Sequence, residues 1–265
     1  MAFFKSTKDV YENFNLVGDQ RTENWLLVRD WWPTICISIL YLVCVKVFSQ
    51  WMRNRPAFNL NHLMIFYNIA MVTLSIYLFS TFLYYGLKTG LNFSCWPVSQ
   101  KVNKNTMGLA KTFWWFYFSK IIELLDTMFF ILRKRYTLVT VLHVYHHAIM
   151  PTVTWLGIKF APGGFATITF MLNSFVHIFM YIYYALSAAG PNYKKYLFWK
   201  QYMTRLQIMQ FILVIVHSIY FLQIDCKYPK VLAITILANS VIFFILFSNF
   251  YKSSYKSPQN MMKKE

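Results

Sequence analysis

Three histidines fall within five residues of one apolar stretch: His143, His146 and His147, in the segment LHVYHH at 142–147. The sequence has only six histidines. On a helix, positions i, i+3 and i+4 share one face, so the three imidazoles would point the same way. Leu138, Val139, Val141 and Leu142 precede or open the cluster, and Ala148, Ile149 and Met150 follow it. Ionisable groups at membrane depth are costly and mark functional sites by default. An imidazole can serve as metal ligand, general base or nucleophile. The spacing alone leaves all three open.

The elements that must hold these side chains are apolar helices. The 265 residues are 57% hydrophobic, 20% aromatic and 13% charged, against roughly a quarter charged in soluble domains. The apolar residues form long repeated runs, the pattern of an all-α, polytopic membrane protein. No polar linker interrupts them, so a single integral-membrane domain over residues 1–265 is expected. Its polar segment is 1–30 and its basic tail 252–265, with the spans between. A cleaved signal peptide is not expected, because 1–30 lacks a basic segment leading into an apolar one. The formal net charge of +17 lies mostly in short loops. It fits membrane topology, anionic lipid head groups and an acidic substrate better than nucleic acid, for which no motif is present.

The runs predict about seven transmembrane helices, at 31–48, 64–85, 112–132, 138–157, 165–186, 204–223 and 231–251. An odd number puts the termini on opposite sides. Basic loops at Arg53/Arg55, 133–135 and 194–205, with the basic tail, favour a cytosolic C-terminus and a lumenal N-terminus. The sequon at Asn92 (Asn92-Phe93-Ser94) then falls in a lumenal loop as a glycosylation candidate. Cys95 and Cys226 lie in loops of that same side, where an oxidising lumen favours a disulfide. Such a link would contribute on the order of 4 to 5 kcal/mol as an upper guide.

Three more polar sets lie inside apolar runs. The third span carries Lys120, Glu123 and Asp126 at successive i, i+3 steps, which must face inward and find partners. The fifth carries Asn173 and His177 at i, i+4, then Tyr181 and Tyr184, with Tyr183 beside them. The sixth opens with Thr204, Gln207 and Gln210, either interhelical glue or a ligand-binding edge. His62, in a polar loop, and His217, alone in an apolar run, read as structural.

Four blocks carry a resemblance: KIIELLDTMFFILRKR at 120–135, HVYHH at 143–147, NSFVHIFMYIYY at 173–184 and TRLQIMQF at 204–211. In this order they resemble the very-long-chain fatty acid elongases, and the similarity extends over most of the chain. Leu138 stands where many members have a polar residue, often Gln. The resemblance implies an endoplasmic reticulum enzyme with seven helices around a buried acyl tunnel. It would condense a long-chain acyl-CoA with malonyl-CoA to a 3-oxoacyl-CoA, releasing carbon dioxide and CoA. It assigns His146 as the nucleophile that carries the acyl group, with His143 and His147 orienting it or moving protons. His177 would assist decarboxylation. Glu123, Asp126 and Asn173 would form a structural polar network. Arg133, Arg135 and Lys200 would meet the CoA polyanion at the cytosolic mouth. Lys120 would reach the pyrophosphate or thioester region, and Tyr183, Thr204 and Gln207 would supply hydrogen bonds. Membrane lipid, a homodimer partner, and the reductases and dehydratase that process a 3-oxoacyl-CoA are the implied partners.

Two other readings compete. Di-iron hydroxylases and desaturases also use histidine boxes, but with His62 and His217 set aside only four histidines remain for two metals. Glu123 and Asp126 would be the only additions, so no metal and no cofactor is expected. A seven-helix receptor or transporter could hold buried charges, but does not predict the four blocks together.

Overall fold

A computed structural model describes residues 18–256, and all regular structure among them is helical. Eight α-helices follow in order: α1 (Trp32–Trp51), α2 (Asn61–Lys88), α3 (Lys104–Ile122), α4 (Leu124–Leu132), α5 (Val141–Phe160), α6 (Ala166–Ala188), α7 (Lys200–Gln223) and α8 (Lys230–Tyr251). Three of them, α1, α3 and α5, begin for a local reason. Pro33 sits in the first turn of α1, where a missing N–H costs nothing. Asn103 caps α3, its Oδ1 accepting from the backbone N–H of Asn105 and Thr106 at 2.9 and 3.0 Å. Thr106 Oγ1 accepts in return from Asn103 N–H, closing a capping box. The third span therefore starts at 104 rather than 112, because a cap outweighs the exposed lysines that disguise the first two turns. The histidine helix likewise opens at Val141 rather than 138. Residues 136–138 form a 3-10 turn, and Thr140 caps α5 by accepting from His143 N–H.

α3 and α4 run on as one rod interrupted at Glu123, where Asp126 N–H bonds Glu123 O at 3.1 Å in an i, i+3 pattern. Such a tightened turn inside a helix often marks a functional position.

Six rods close a ring. α2 packs on α3, α3 on α5, α5 on α8, α8 on α7, α7 on α6, and α6 on α2. α1 lies outside the ring against α4 and α5. Five helices are long and apolar enough to cross a membrane: α1, α2, α6, α7, and α8 with its continuation to Tyr255. α3 falls short because it carries Lys104, Lys111 and Lys120, α5 because it carries three imidazoles and Lys159, and α4 because it is only nine residues long. Exposed Phe66, Ile69, Ile212 and Val216 on α2 and α7 give the bundle an apolar outer surface suited to lipid. The chain is an all-α, multi-pass membrane protein.

Alternating chain direction gives the bundle two unlike ends. One holds the disulfide Cys95–Cys226, with a Cα–Cα distance of 5.5 Å. There Phe165 N–H bonds Trp96 O at 3.1 Å across the 163–164 turn. Gly164 has φ +59°, and a Cβ there would lie 2.5 Å from Trp96 O, so only glycine fits. Residues of the segment before α1 strap this end: Asp19 N–H bonds Lys159 O, Thr22 Oγ1 donates to Ile158 O, and Lys159 Nζ donates to Arg29 O. The opposite end carries the α4–α5 and α6–α7 connections with their basic residues.

Candidate active site

Inside the ring lies a cavity of about 700 Å³ that reaches from the basic end to the middle of the bundle. That is within the range of pockets that hold small-molecule ligands and cofactors. All six rods contribute to its wall; α1 does not.

The deepest part is an ionic cluster. Lys120 Nζ donates to Glu123 Oε1 at 2.8 Å and to Asn173 Oδ1 at 2.9 Å, and lies 4.6 Å from the centroid of the Phe116 ring. Lys120 and Glu123 are each 2% exposed. A buried pair survives only when its remaining hydrogen-bonding capacity is used. Here Asn173 supplies one partner and His177 the other, its Nδ1 lying 3.4 Å from the same Oε1. One turn further along the α3–α4 rod, Asp126 Oδ2 accepts from Tyr181 OH at 2.9 Å.

The histidine helix forms the facing wall. The rings of His143 and His147 are 4.2 Å apart, and those of His146 and His147 5.1 Å. His146 packs on Phe243 of α8 at 5.1 Å, and His143 on Phe130 of α4 at 5.2 Å. His143 Nε2 is 2.9 Å from Thr127 Oγ1. Pro151 follows one turn later inside α5. It removes the N–H that would otherwise bond His147 O, loosening the ladder at the cluster.

The mouth is cationic. Arg133 Nη2 donates to Asn61 Oδ1 at 2.8 Å, which fixes the guanidinium at the rim. Partial burial, and then the charge of Arg135, push Arg133 below its ordinary value; an arriving anion would reverse that. Arg135, Lys200, Thr204, Gln207 and Tyr183 complete this part of the wall, Tyr183 held edge-on to Trp199 at 5.5 Å. The two carboxylates among the lining residues, Glu123 and Asp126, are both in the deep part.

A profile of the ELO (GNS1/SUR4) family matches residues 26–263, a stretch that includes every residue lining this cavity. The chain belongs to that family. It is 46% identical over 255 residues to very long chain fatty acid elongase 7 of Drosophila melanogaster, covering 96% of this chain and 77% of the relative. It is 42% identical over 243 residues to human very long chain fatty acid elongase 4, covering 92% and 77%. With very long chain fatty acid elongase 2 of Mus musculus the identity is 37% over 264 residues, covering 100% and 89%. The resemblance carried by the four sequence blocks is thus that of a fatty acid elongase family member.

Of the residues singled out in the sequence, His143, His146, His147, His177, Glu123, Asp126, Asn173, Arg133, Arg135, Tyr183, Lys200, Thr204 and Gln207 all line the same cavity. Lys120 does not. Its ammonium donates to Glu123 and Asn173, which places it behind the wall. Asn92 is exposed, its Oδ1 accepting from Ser94 N–H. His217 packs on Phe165 at 4.7 Å and meets Phe93 O at 3.1 Å, tying a loop to the bundle. Among the described residues no three His, Cys, Asp or Glu side chains converge as a metal-binding group. Spacing did not reveal Asn61, Phe243, Tyr41 or Thr127. The first two are polar or apolar residues of ordinary helices, and the last two matter only through a contact between helices 86 residues apart in sequence.

Proposed function

We propose that this elongase family member catalyses the condensing step of fatty acid elongation. It joins a long-chain acyl-CoA to malonyl-CoA and yields a 3-oxoacyl-CoA two carbons longer. The observation that carries this reading is one cavity with four imidazoles in its interior and Arg133, Arg135 and Lys200 at its mouth. CoA is a polyanion with a long pantetheine arm. Cations at the rim suit its phosphates, and the arm would bring the thioester inward to the histidines.

The chemistry divides into two transfers. A ring nitrogen of His146 attacks the acyl thioester carbonyl, the C–S bond breaks, and CoA leaves with the imidazole proton. The resulting acyl-imidazole is itself an activated acyl donor. Malonyl-CoA then loses carbon dioxide, and the electron pair of the broken C–C bond becomes an enolate. The enolate carbon attacks the acyl carbonyl, the bond to His146 breaks with its electron pair returning to the ring nitrogen, the imidazole takes up a proton from solvent to return to its starting form, and the product departs. Gln207, Gln210 and Asn173, all on the wall, are the amides available to the enolate and tetrahedral oxygens. Glu123, beside Nδ1 of His177, would keep that nitrogen protonated and leave Nε2 as the basic atom. His143 and His147 would orient His146 and pass its proton. None of these steps calls for a metal or an organic cofactor.

The reading extends to a seven-span arrangement in the endoplasmic reticulum membrane, with the basic mouth on the cytosolic side and the disulfide in the lumen. The product is a 3-oxo thioester, so reductases and a dehydratase must act after it. Purified protein incubated with a panel of acyl-CoAs and labelled malonyl-CoA should form 3-oxoacyl-CoA products, identified by mass. If no acyl-CoA in the panel supports malonyl-CoA consumption, the reading fails.

A further inference from the structure

We propose that Tyr41 and Thr127, two buried hydroxyls outside the cavity wall, are positioning residues that set the tautomer and ring orientation of His143. The inference rests on the condensing reading above, but its observations are separate. Thr127 Oγ1 lies 2.9 Å from His143 Nε2 and 2.9 Å from Tyr41 OH. The three groups sit on α4, α5 and α1. Thr127 is 0% and Tyr41 4% exposed, and neither lines the cavity. A substrate in the cavity therefore meets His143 without meeting either hydroxyl.

The direction of the chain follows from hydrogen-bonding capacity. Thr127 has one hydroxyl proton and two partners, so it donates to one and accepts from the other. A phenol is more acidic than an alcohol and is the better donor of the two. Tyr41 therefore donates to Thr127, and Thr127 donates to His143 Nε2. That nitrogen is then the unprotonated one, and Nδ1 carries the proton. The second bond of the imidazole is what fixes its tautomer, as for histidines in other functional sites. The ring so held lies 4.2 Å from His147, which lies 5.1 Å from His146. A rotated or re-protonated His143 would displace that stack from the far side of the reacting atoms.

This relay also gives α1 a role. It stands outside the ring of six rods, yet it contributes the first hydroxyl of the chain, and Tyr41 packs near His147 with ring centroids 6.5 Å apart. Burying a hydroxyl without a partner is expensive, so Tyr41 and Thr127 hold each other as firmly as they hold the imidazole.

The test uses the full-length protein and steady-state kinetics with malonyl-CoA. Thr127→Val keeps the shape and deletes the hydroxyl. It should lower kcat by roughly tenfold, the kinetic equivalent of about one hydrogen bond, with KM for malonyl-CoA unchanged. Thr127→Ser restores the hydroxyl and should recover most of kcat. Tyr41→Phe should lower kcat by a smaller factor, and the double variant Tyr41→Phe/Thr127→Val should be no slower than Thr127→Val alone, because the chain is already cut. A Thr127→Val enzyme with wild-type kcat would overturn the proposal. So would a Thr127→Ser enzyme as slow as the valine variant, or single effects that multiply in the double variant. Should Thr127→Val fail to fold, Tyr41→Phe decides, and an unchanged kcat in it overturns the relay. Wild-type protein that forms no 3-oxoacyl-CoA would refute the condensing reading instead, which separates the two failures.

Discussion

At one end of the bundle Phe82, Phe113, Phe116 and Phe170 interlock with ring centroids 4.4–6.4 Å apart, above a disulfide and a strap of chain hydrogen-bonded across α5. At the other end the same helices stand around a cavity of about 700 Å³ rimmed by arginine and lysine. The boundary between the two halves is the cluster of Lys120, Glu123, Asn173 and His177. Lys120 faces the aromatic half, over the Phe116 ring, and Glu123 faces the cavity. Close-packed aromatic interiors resist deformation. The packed half can therefore hold the reactive half open without collapse, although opening a cavity between helices costs apolar contacts. Substitutions in the two halves should then fail in different ways.

The largest effect is expected in the open half. His146→Ala should lower condensation by roughly a thousandfold or more while leaving the protein folded; product formation measured by mass, beside thermal unfolding, checks both parts. Next comes the boundary. Glu123→Ala takes the directly bonded counter-charge from the buried Lys120 ammonium, which keeps only the neutral Asn173 oxygen as acceptor, and should destabilise by roughly 3–5 kcal/mol. The pair Lys120→Met with Glu123→Gln should cost less than Glu123→Ala alone, since no uncompensated charge remains. Thermal unfolding in detergent reads that difference, and a double substitution worse than the single would break the proposed boundary.

The packed half should lose stability without losing chemistry. Cys95→Ser with Cys226→Ser opens a link spanning 131 residues of sequence and should cost about 2–4 kcal/mol. Its kcat, measured at a temperature where the variant is folded, should match wild type. A fall in kcat there would show that the two halves are not independent. The smallest effects belong to the rim: Arg133→Ala, Arg135→Ala and Lys200→Ala should each raise KM for the CoA substrates several-fold, on the order of 1 kcal/mol, with kcat nearly unchanged. Arg133 should show the largest of the three, because Asn61 holds it in place.

Much of this division was legible in the sequence. Helical spacing alone placed His143, His146 and His147 on one face, and Asn173 with His177 on another, and the structure turns both faces into one cavity. Counting spans put Cys95 and Cys226 in loops of the same side, and the structure joins them. What sequence could not supply was depth and cross-helix partnership. Lys120 reads as a cation available to a phosphate, yet Asn173, 53 residues away, and Glu123 take its ammonium. The start of α3 was hidden because Lys104 and Lys111 look like loop, while the Asn103 cap that outweighs them is a local feature easily passed over. The Tyr41–Thr127–His143 chain was invisible because an apolar helix with one tyrosine gives no periodic signal of what that hydroxyl meets.

The central claim is that the imidazole cluster carries an acyl group between two CoA substrates. The most direct measurement incubates the purified protein with a long-chain acyl-CoA alone, quantifies released CoA, and maps the digested protein by mass spectrometry. CoA should be released in proportion to enzyme before any malonyl-CoA is added, with the acyl mass on the peptide containing His146 and removed when malonyl-CoA follows. CoA release that begins only on addition of malonyl-CoA, with no acylated histidine peptide, would contradict it.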